Sequence, residues 1–178
     1  MSGSRKKVIF IGGTPGVGKT SISGYLAKVL GIDLVLSGDY LREFLRGSDP
    51  ERFRSLAVSV YDSWKLNGER SQENLLKGFM EQTRIMNRGF ESVIGRSVKN
   101  GEPLILETLY YLPGFLETFS QSVVTFYLYI GDESTHRLHL NERTRFTHPG
   151  SPGERLSAHL DESRRLFMTG YLDFTQEL

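Results

Sequence analysis

The sequence has 178 residues, with 22 Lys and Arg against 21 Asp and Glu and no cysteine. This length fits one globular domain over residues 1–178, with a core that needs no disulfide or structural metal. The lack of thiols excludes cysteine nucleophiles and cysteine-ligated zinc, and the formal charge of +1 disfavours binding along a long nucleic acid. Because no long apolar segment or signal peptide is evident, we expect a soluble cytoplasmic protein.

The first part of the chain alternates short apolar runs with helical patterns. Residues 7–12 form a β-branched run that predicts a buried parallel strand. Apolar residues recur at helical spacing over 18–30, and Gly31 supplies a C-terminal stop. A second strand is predicted at 33–36 and a second helix over 38–45, which gives the β-α-β-α order typical of an α/β fold.

The later elements differ in how clearly the sequence marks them. Residues 46–70 carry only a weak helical pattern that Pro50 would open, whereas residues 71–100 carry the longest amphipathic pattern of the chain. Two further strands are predicted at 104–106 and 123–130. The rest of the chain is polar and helical, interrupted by a loop rich in glycine and proline.

A glycine-rich loop stands between the first predicted strand and the first predicted helix. Residues 13–20 read G-T-P-G-V-G-K-T and complete the pattern G-x-x-x-x-G-K-[ST]. Glycines let the backbone N–H groups point into one concavity at a helix N-terminus, which binds polyphosphate; the alternative is a turn that only packs the helix on the strand. The strand and helix context favours nucleotide binding by Gly13, Thr14, Pro15, Gly16, Val17, Gly18, Lys19, Thr20 and Ser21.

Two side chains of this loop have the chemistry that a nucleotide needs. We expect the Lys19 ammonium to reach the β- and γ-phosphates of ATP and the Thr20 hydroxyl to ligate Mg²⁺. The sequence lacks the DxxG and NKxD elements of a regulatory GTPase, and it is too short for a large ATPase core. A small phosphotransferase remains, and such an enzyme binds a second substrate opposite the γ-phosphate.

Polar residues follow the second predicted strand, where the ligands of an open α/β sheet gather. Asp39 and Arg42 lie three residues apart at a helix start and therefore share one face. In the functional interpretation, Asp39 orients or deprotonates an acceptor hydroxyl while Arg42 binds an anion. In the structural interpretation, Asp39 only caps the helix and Arg42 is a solvated side chain. The position at a strand end beside the phosphate loop favours catalysis.

Glu107 directly follows the apolar run 104–106. This is the Walker-B-like position, where an acid holds Mg²⁺ directly or through water. The alternative is a charge that happens to fall at a strand exit. Because an unpaired carboxylate facing the loop would be costly, we expect a metal role for Glu107.

The segment 132–165 is interpreted as a lid. Every basic residue beyond Lys99, other than the four histidines, is an arginine, and guanidinium groups suit transferring phosphates. Most of these arginines are expected in surface ion pairs. Arg143, which we predict to be catalytic, and Arg145 and Arg155, which we predict to bind substrate, are the exceptions. The histidines are expected to be solvated.

Several motifs, in the same order, resemble those of the archaeal 2-phosphoglycerate kinases, small P-loop kinases related in fold to nucleotide and shikimate kinases. Besides the phosphate loop and the acid-x-x-Arg segment at 39–42, they are S-x-Y-x-x-W at 59–64, G-F-x-x-Q at 78–82 and LILETLYYLPG at 104–114. The resemblance extends over most of the chain. It implies a three-layer P-loop sandwich, with a parallel sheet in the order 2-3-1-4 flanked by helices and an arginine-rich helical lid.

The resemblance also implies a reaction, namely transfer of the ATP γ-phosphoryl group to the free hydroxyl of 2-phosphoglycerate. Arg42 and the lid arginines would then face an anionic acceptor. This sequence has Thr108 and Tyr110 where the family usually has Gly and His, so Tyr110 is the expected substrate contact and the acceptor stays open. The sequence ends at Leu178 without the fifth strand that helps related kinases to hold adenine, so we expect weak base recognition or help from another subunit.

The sequence therefore predicts an ATP- and Mg²⁺-dependent small-molecule kinase, a monomer or homodimer that acts on an anionic substrate and does not bind membranes. One alternative is a nucleoside, nucleotide or polynucleotide kinase in which Trp64, Tyr110 and Tyr111 stack on a base; otherwise these rings pack in the core. The other alternative is a regulatory protein that binds ATP without a dedicated acceptor.

Overall fold

The computed structural model describes residues 7–112 and 114–142. These residues form four strands, four α-helices and three short 3₁₀ helices. No helix within them is long and apolar enough to cross a membrane. Strands alternate with helices in the predicted order, which confirms the α/β class.

The strands form one parallel sheet. They are β1 (Val8–Gly13), β2 (Val35–Ser37), β3 (Leu104–Thr108) and β4 (Val123–Leu128). The sheet order β2-β3-β1-β4 is the order that the family resemblance implies. Ile11 of β1 lies opposite Glu107 of β3, and Glu107 in turn lies opposite Ser37 of β2. The carboxyl ends of these three strands therefore meet at one edge of the sheet.

The α-helices begin and end close to the predicted positions. They are α1 (Lys19–Leu30), α2 (Gly38–Ser48), α3 (Gln72–Asn100) and α4 (Glu133–Glu142). The Ser71 side chain caps α3 by accepting a hydrogen bond from the backbone N–H of Asn74. Gly31 and Gly101 end α1 and α3 in the left-handed conformation, at φ 63° and 69°.

The region between α2 and α3 differs from the prediction. Instead of a helix opened by Pro50, the chain forms two 3₁₀ helices, Arg54–Ala57 and Val60–Leu66. Gln82 of α3 donates hydrogen bonds to the carbonyl groups of Ser55 and Val58, each at 2.8 Å. These hydrogen bonds from α3 satisfy backbone carbonyl groups that would otherwise need partners within a regular helix. The segment therefore lacks the periodic sequence pattern of an α-helix.

Side chains of the sheet alternate between two helical layers. Val8 and Phe10 of β1 lie in one buried cluster with Phe90 of α3. On the opposite face, Thr20 of α1 donates a hydrogen bond to Glu107 of β3. Helices therefore cover both faces of the sheet, as in the expected three-layer sandwich.

At Gly78, α3 lies very close to the preceding 3₁₀ helix. A Cβ atom added there would lie 2.0 Å from the carbonyl oxygen of Ser63 and 2.6 Å from its carbonyl carbon. The Ser63 hydroxyl also donates a hydrogen bond to the Leu75 carbonyl at 2.8 Å. Since the obstructing atoms belong to the backbone, only glycine fits without separating the two elements.

We predict that Gly78→Ala lowers the free energy of unfolding by about 1–3 kcal/mol, because the added methyl group forces the 3₁₀ helix away from α3. Gly89→Ala is the matched control on the same helix, since its nearest neighbour would be Leu45 Cδ1 at 3.8 Å. This control should be neutral or stabilising by up to about 1 kcal/mol. Chemical denaturation of both variants measures the difference, and equal stabilities would contradict the packing argument.

Candidate active site

The glycine-rich loop directly follows β1 and opens α1. Gly16 and Gly18 adopt φ angles of 81° and 86°, a region that other residues rarely occupy. Gly18 precedes the first residue of α1, so the loop ends at a helix N-terminus, where the backbone favours negative charge. Lys19 Nζ donates a hydrogen bond to the Thr14 carbonyl at 3.0 Å, which holds the ammonium group across the loop. This arrangement is suited to binding phosphate groups.

A threonine and a glutamate meet beside this loop. The Thr20 hydroxyl lies 3.0 Å and 3.2 Å from the two carboxylate oxygens of Glu107. Glu107 is only 6% exposed, and the β1–β3 register places it level with the end of β1. The prediction that Glu107 faces the loop is correct.

The same two residues fit Mg²⁺. A hydroxyl and a carboxylate are the hard oxygen donors that this ion prefers, and Mg²⁺ usually takes its other ligands from water and substrate phosphates. In the described part of the chain, no group of three or more His, Cys, Asp and Glu side chains forms a metal cage. The donor set therefore suits a metal that arrives with a nucleotide.

A cleft of about 610 Å³ runs along the carboxyl edge of the sheet. It brings the phosphate loop, Asp39 and Glu107 together, as the sequence predicts, and it also takes in residues that the sequence interpretation missed. The lining residues are Pro15, Gly16, Gly18, Lys19, Thr20, Ser21, Ile22, Ser37, Asp39, Glu107, Thr108, Leu109, His139 and Glu142. The residues that the sequence interpretation did not assign to the site are Ile22, Ser37, Thr108, Leu109, His139 and Glu142.

Asp39 is an exposed residue of the cleft wall, in the first turn of α2. The helix cap is Ser37 rather than Asp39, so the capping alternative for Asp39 is wrong. Gly38 brings α2 against the end of β3, since a Cβ atom there would lie 2.3 Å from Thr108 Oγ1. This close approach places Asp39 at the same strand edge as Glu107 and leaves its carboxylate available to a ligand.

Arg42 is bound to the protein backbone. One guanidinium nitrogen, Nη2, donates hydrogen bonds to the carbonyl groups of Leu56 at 2.5 Å and Val58 at 3.0 Å, and the side chain is 18% exposed. Arg42 is therefore not the solvated side chain of the alternative interpretation, and it does not line the cleft. In the described structure it connects α2 to the first 3₁₀ helix.

Tyr110 is buried rather than presented to the cleft. It is 1% exposed, and its ring stacks on Phe79 with 6.2 Å between the ring centroids. The Thr108 hydroxyl oxygen accepts the Tyr110 backbone N–H at 3.0 Å, which forms a tight turn after β3. Burial raises the pKa of the Tyr110 hydroxyl well above its usual value of 10, so this phenol stays protonated at neutral pH.

Helix α4 contributes a wall that the sequence interpretation missed. His136 is 3% exposed, and its Nε2 lies 2.6 Å from the Pro15 carbonyl oxygen. The expectation of solvated histidines is therefore wrong for His136. The sequence did hold a signal for this burial: His136 lies four residues before the apolar Leu140, and such pairs share a helix face. The predicted lid residues Arg143, Arg145 and Arg155 lie outside the described residues.

Residues 9–144 match the family described as an AAA domain (AAA_18). A mevalonate-3-phosphate 5-kinase from Thermoplasma acidophilum is 48% identical over 161 residues, which are 90% of this chain and 79% of that protein. A 2-phosphoglycerate kinase from Methanopyrus kandleri is 30% identical over 89% of this chain, and the chain spans 50% of its length.

Among solved structures, a gluconokinase from Sinorhizobium meliloti 1021 has 18% identity and a TM-score of 0.49, covering 90% of this chain and 74% of that chain. The family match and the curated relatives agree with the phosphate loop, the sheet order and the cleft described above. The chain belongs to the small P-loop kinases and is a phosphotransferase with an alcohol group as its acceptor.

Proposed function

We propose that this enzyme is a Mg²⁺- and ATP-dependent kinase that phosphorylates the 5-hydroxyl group of mevalonate 3-phosphate. The observation that carries the reaction type is that one cleft joins the phosphate loop, the Thr20–Glu107 pair and Asp39. The 48% identity to the mevalonate-3-phosphate 5-kinase, over 79% of that protein, supports the acceptor. This acceptor is a small anion with a phosphate, a carboxylate and a free hydroxyl, as the predicted substrate class requires.

The second candidate acceptor is 2-phosphoglycerate, which would give 2,3-bisphosphoglycerate. It is supported by the motif resemblance and by relatives near 30% identity. Thr108 and Tyr110 count against it, because they replace the glycine and histidine usual in that family. Both acceptors carry the same groups, namely a phosphate, a carboxylate and a hydroxyl, so the reaction chemistry does not depend on which one is used.

Catalysis in this proposal consists of positioning and charge stabilisation. The loop N–H groups and Lys19 hold the β- and γ-phosphates of ATP, while Thr20 and Glu107 are the residues that hold Mg²⁺. When bound, Mg²⁺ neutralises the charge that develops on the phosphate oxygens. Asp39 accepts a hydrogen bond from the acceptor hydroxyl and takes its proton as the oxygen attacks the γ-phosphorus. The bond between the γ-phosphorus and the oxygen that bridges it to the β-phosphorus breaks, and ADP leaves.

Arginine side chains are the groups proposed to bind the anionic parts of the acceptor and the transferring phosphoryl group. The Arg42 guanidinium and the Asp39 carboxylate both lie close enough to Tyr110 to act on the pKa of its hydroxyl in opposite directions, although Arg42 Nη2 is used by backbone carbonyl groups. Arg143 is proposed for the moving phosphoryl group, with Arg145 and Arg155 for the acceptor. Because Tyr110 is buried, its proposed role is to support the wall of the acceptor site from behind rather than to contact the acceptor.

The two alternative functions lose support in the described residues. Trp64 and Tyr111 are half-buried and pack against the core cluster that includes Tyr110, and none of the three rings lines the cleft where a nucleobase would stack. A regulatory protein without an acceptor would not need Asp39 exposed in the nucleotide cleft. A small-molecule kinase accounts for both observations.

Lys19→Ala should lower the rate of phosphoryl transfer by at least about 10²-fold, because it removes a fixed positive charge from the transferring phosphates. Lys28→Ala is the matched control, since Lys28 is an exposed residue in the last turn of the same helix. Transfer from labelled ATP measures both variants. Retention of most of the activity in Lys19→Ala would contradict the assignment of the phosphate loop.

Asp39→Asn should lower kcat by about 10²–10⁴-fold while leaving the affinity for ATP unchanged, because the amide cannot take the acceptor proton. Asp33→Asn is the matched control: Asp33 is exposed and precedes β2, whereas Asp39 follows it. Steady-state kinetics gives kcat, and calorimetric titration gives the nucleotide affinity. Full activity of Asp39→Asn on the true acceptor would show that its assigned role is wrong.

The acceptor is tested with labelled ATP and a panel that contains mevalonate 3-phosphate, mevalonate, 2-phosphoglycerate, nucleosides and short RNA. We expect the highest kcat/KM with mevalonate 3-phosphate, and we expect unphosphorylated mevalonate to be poorer because it keeps the carboxylate but lacks the phosphate. A clear preference for 2-phosphoglycerate would establish the second candidate. Transfer to RNA without transfer to either small acid would overturn the proposal.

A further inference from the structure

Helix α4 is attached to the back of the phosphate loop by a buried hydrogen bond. His136 Nε2 lies 2.6 Å from the carbonyl oxygen of Pro15, although 121 positions separate the two residues in the sequence. A carbonyl oxygen only accepts hydrogen bonds, so the imidazole must donate and Nε2 must carry the proton. Because His136 is 3% exposed, water does not compete easily for this carbonyl.

The next turn of α4 also contacts the loop. A Cβ atom added to Gly16 would lie 2.6 Å from Leu140 Cδ2 and 3.4 Å from His136 Nε2. The α4 helix itself is capped at its start, where Asp132 Oδ2 accepts the backbone N–H of Thr135 at 2.7 Å. The phosphate loop therefore packs against α4 at Pro15 and Gly16.

The geometry of one peptide group connects this contact to phosphate binding. In a planar trans peptide, the C=O of one residue and the N–H of the next point in opposite directions. A donor that holds the Pro15 carbonyl towards α4 therefore directs the Gly16 N–H away from α4. Gly16 lines the cleft and has φ 81°, and glycine tolerates a rotation of this peptide better than other residues do.

We propose that His136 is a positioning residue of the phosphate loop, which fixes the Pro15–Gly16 peptide so that the Gly16 N–H points at the phosphates of the nucleotide. Leu140 supports the same peptide by filling the space beside Gly16. This role rests on the proposed binding of ATP by the loop and is independent of the acceptor. It also makes α4 a part of the nucleotide site rather than only the start of the lid.

The test compares two substitutions of His136 that differ in hydrogen bonding. His136→Leu removes the donor and keeps an apolar side chain, whereas His136→Gln offers an amide N–H at about the reach of Nε2. Leu138→Gln is the control, because Leu138 lies on the same helix and is 55% exposed. Calorimetry measures the binding of ADP and of inorganic triphosphate, and steady-state kinetics measures KM for ATP and for the acceptor.

We expect His136→Leu to bind ADP and inorganic triphosphate about tenfold more weakly, as the loss of one buried hydrogen bond predicts. KM for ATP should rise while KM for the acceptor stays unchanged, and His136→Gln should recover most of the affinity. Equal affinities of wild type and His136→Leu would overturn the inference. A wild-type protein that binds neither ligand would instead overturn the proposed function, so the two failures are distinguishable.

A spectroscopic readout separates positioning from a general loss of stability. Labelling proline with ¹³C at the carbonyl and glycine with ¹⁵N selects the four Pro-Gly pairs of the sequence, of which Pro15–Gly16 is one. In His136→Leu we expect the Gly16 amide signal to shift or broaden at a temperature where the variant is fully folded, and to return in His136→Gln. An unperturbed Gly16 signal in His136→Leu would contradict the proposed role of the hydrogen bond.

Discussion

The parallel pairing of β1 with β3 is the constraint on which the rest of the site depends. It places Ile11 opposite Glu107 and so sets the end of β3 beside the loop that follows β1. The pairing of β3 with β2 then brings Ser37 level with Glu107, and Asp39 follows two residues later. Backbone hydrogen bonds therefore align the three strand ends beside which the phosphate loop, Glu107 and Asp39 lie.

Those parts of the fold and site that depend on local signals were predictable from the sequence. The glycines of the phosphate loop indicate its backbone conformation. The loop lies between a strand pattern and an amphipathic helix pattern, and this position identifies the helix N-terminus. Glu107 was predictable for a related reason, since an acid at the end of a buried strand is costly unless it has a partner. Its partner is the Thr20 hydroxyl. The long helix α3 and its glycine stop follow from periodicity and capping.

The remaining parts depend on contacts between residues that are far apart in the chain. Gln82 binds carbonyl groups 24 and 27 positions before it, and this pairing produces 3₁₀ helices where the sequence has only a weak pattern. His136 illustrates the same limit, because a histidine on a polar helix is normally solvated unless a distant carbonyl needs a donor. Tyr110 turns into the core through a bond of its own N–H to Thr108, and nothing in its residue type predicts that direction.

The phosphate loop and the segment that follows α2 are held in different ways. On the nucleotide side, specific side chains hold the loop, since Thr20 pairs with Glu107 and His136 binds Pro15. Away from the residues that line the cleft, Arg42 of α2 and Gln82 of α3 hold the segment 55–58 by its backbone carbonyl groups. Because these bonds are made to the main chain, the exposed Ala57 side chain can be exchanged without moving the segment, whereas Leu56 is fixed by its burial in the core.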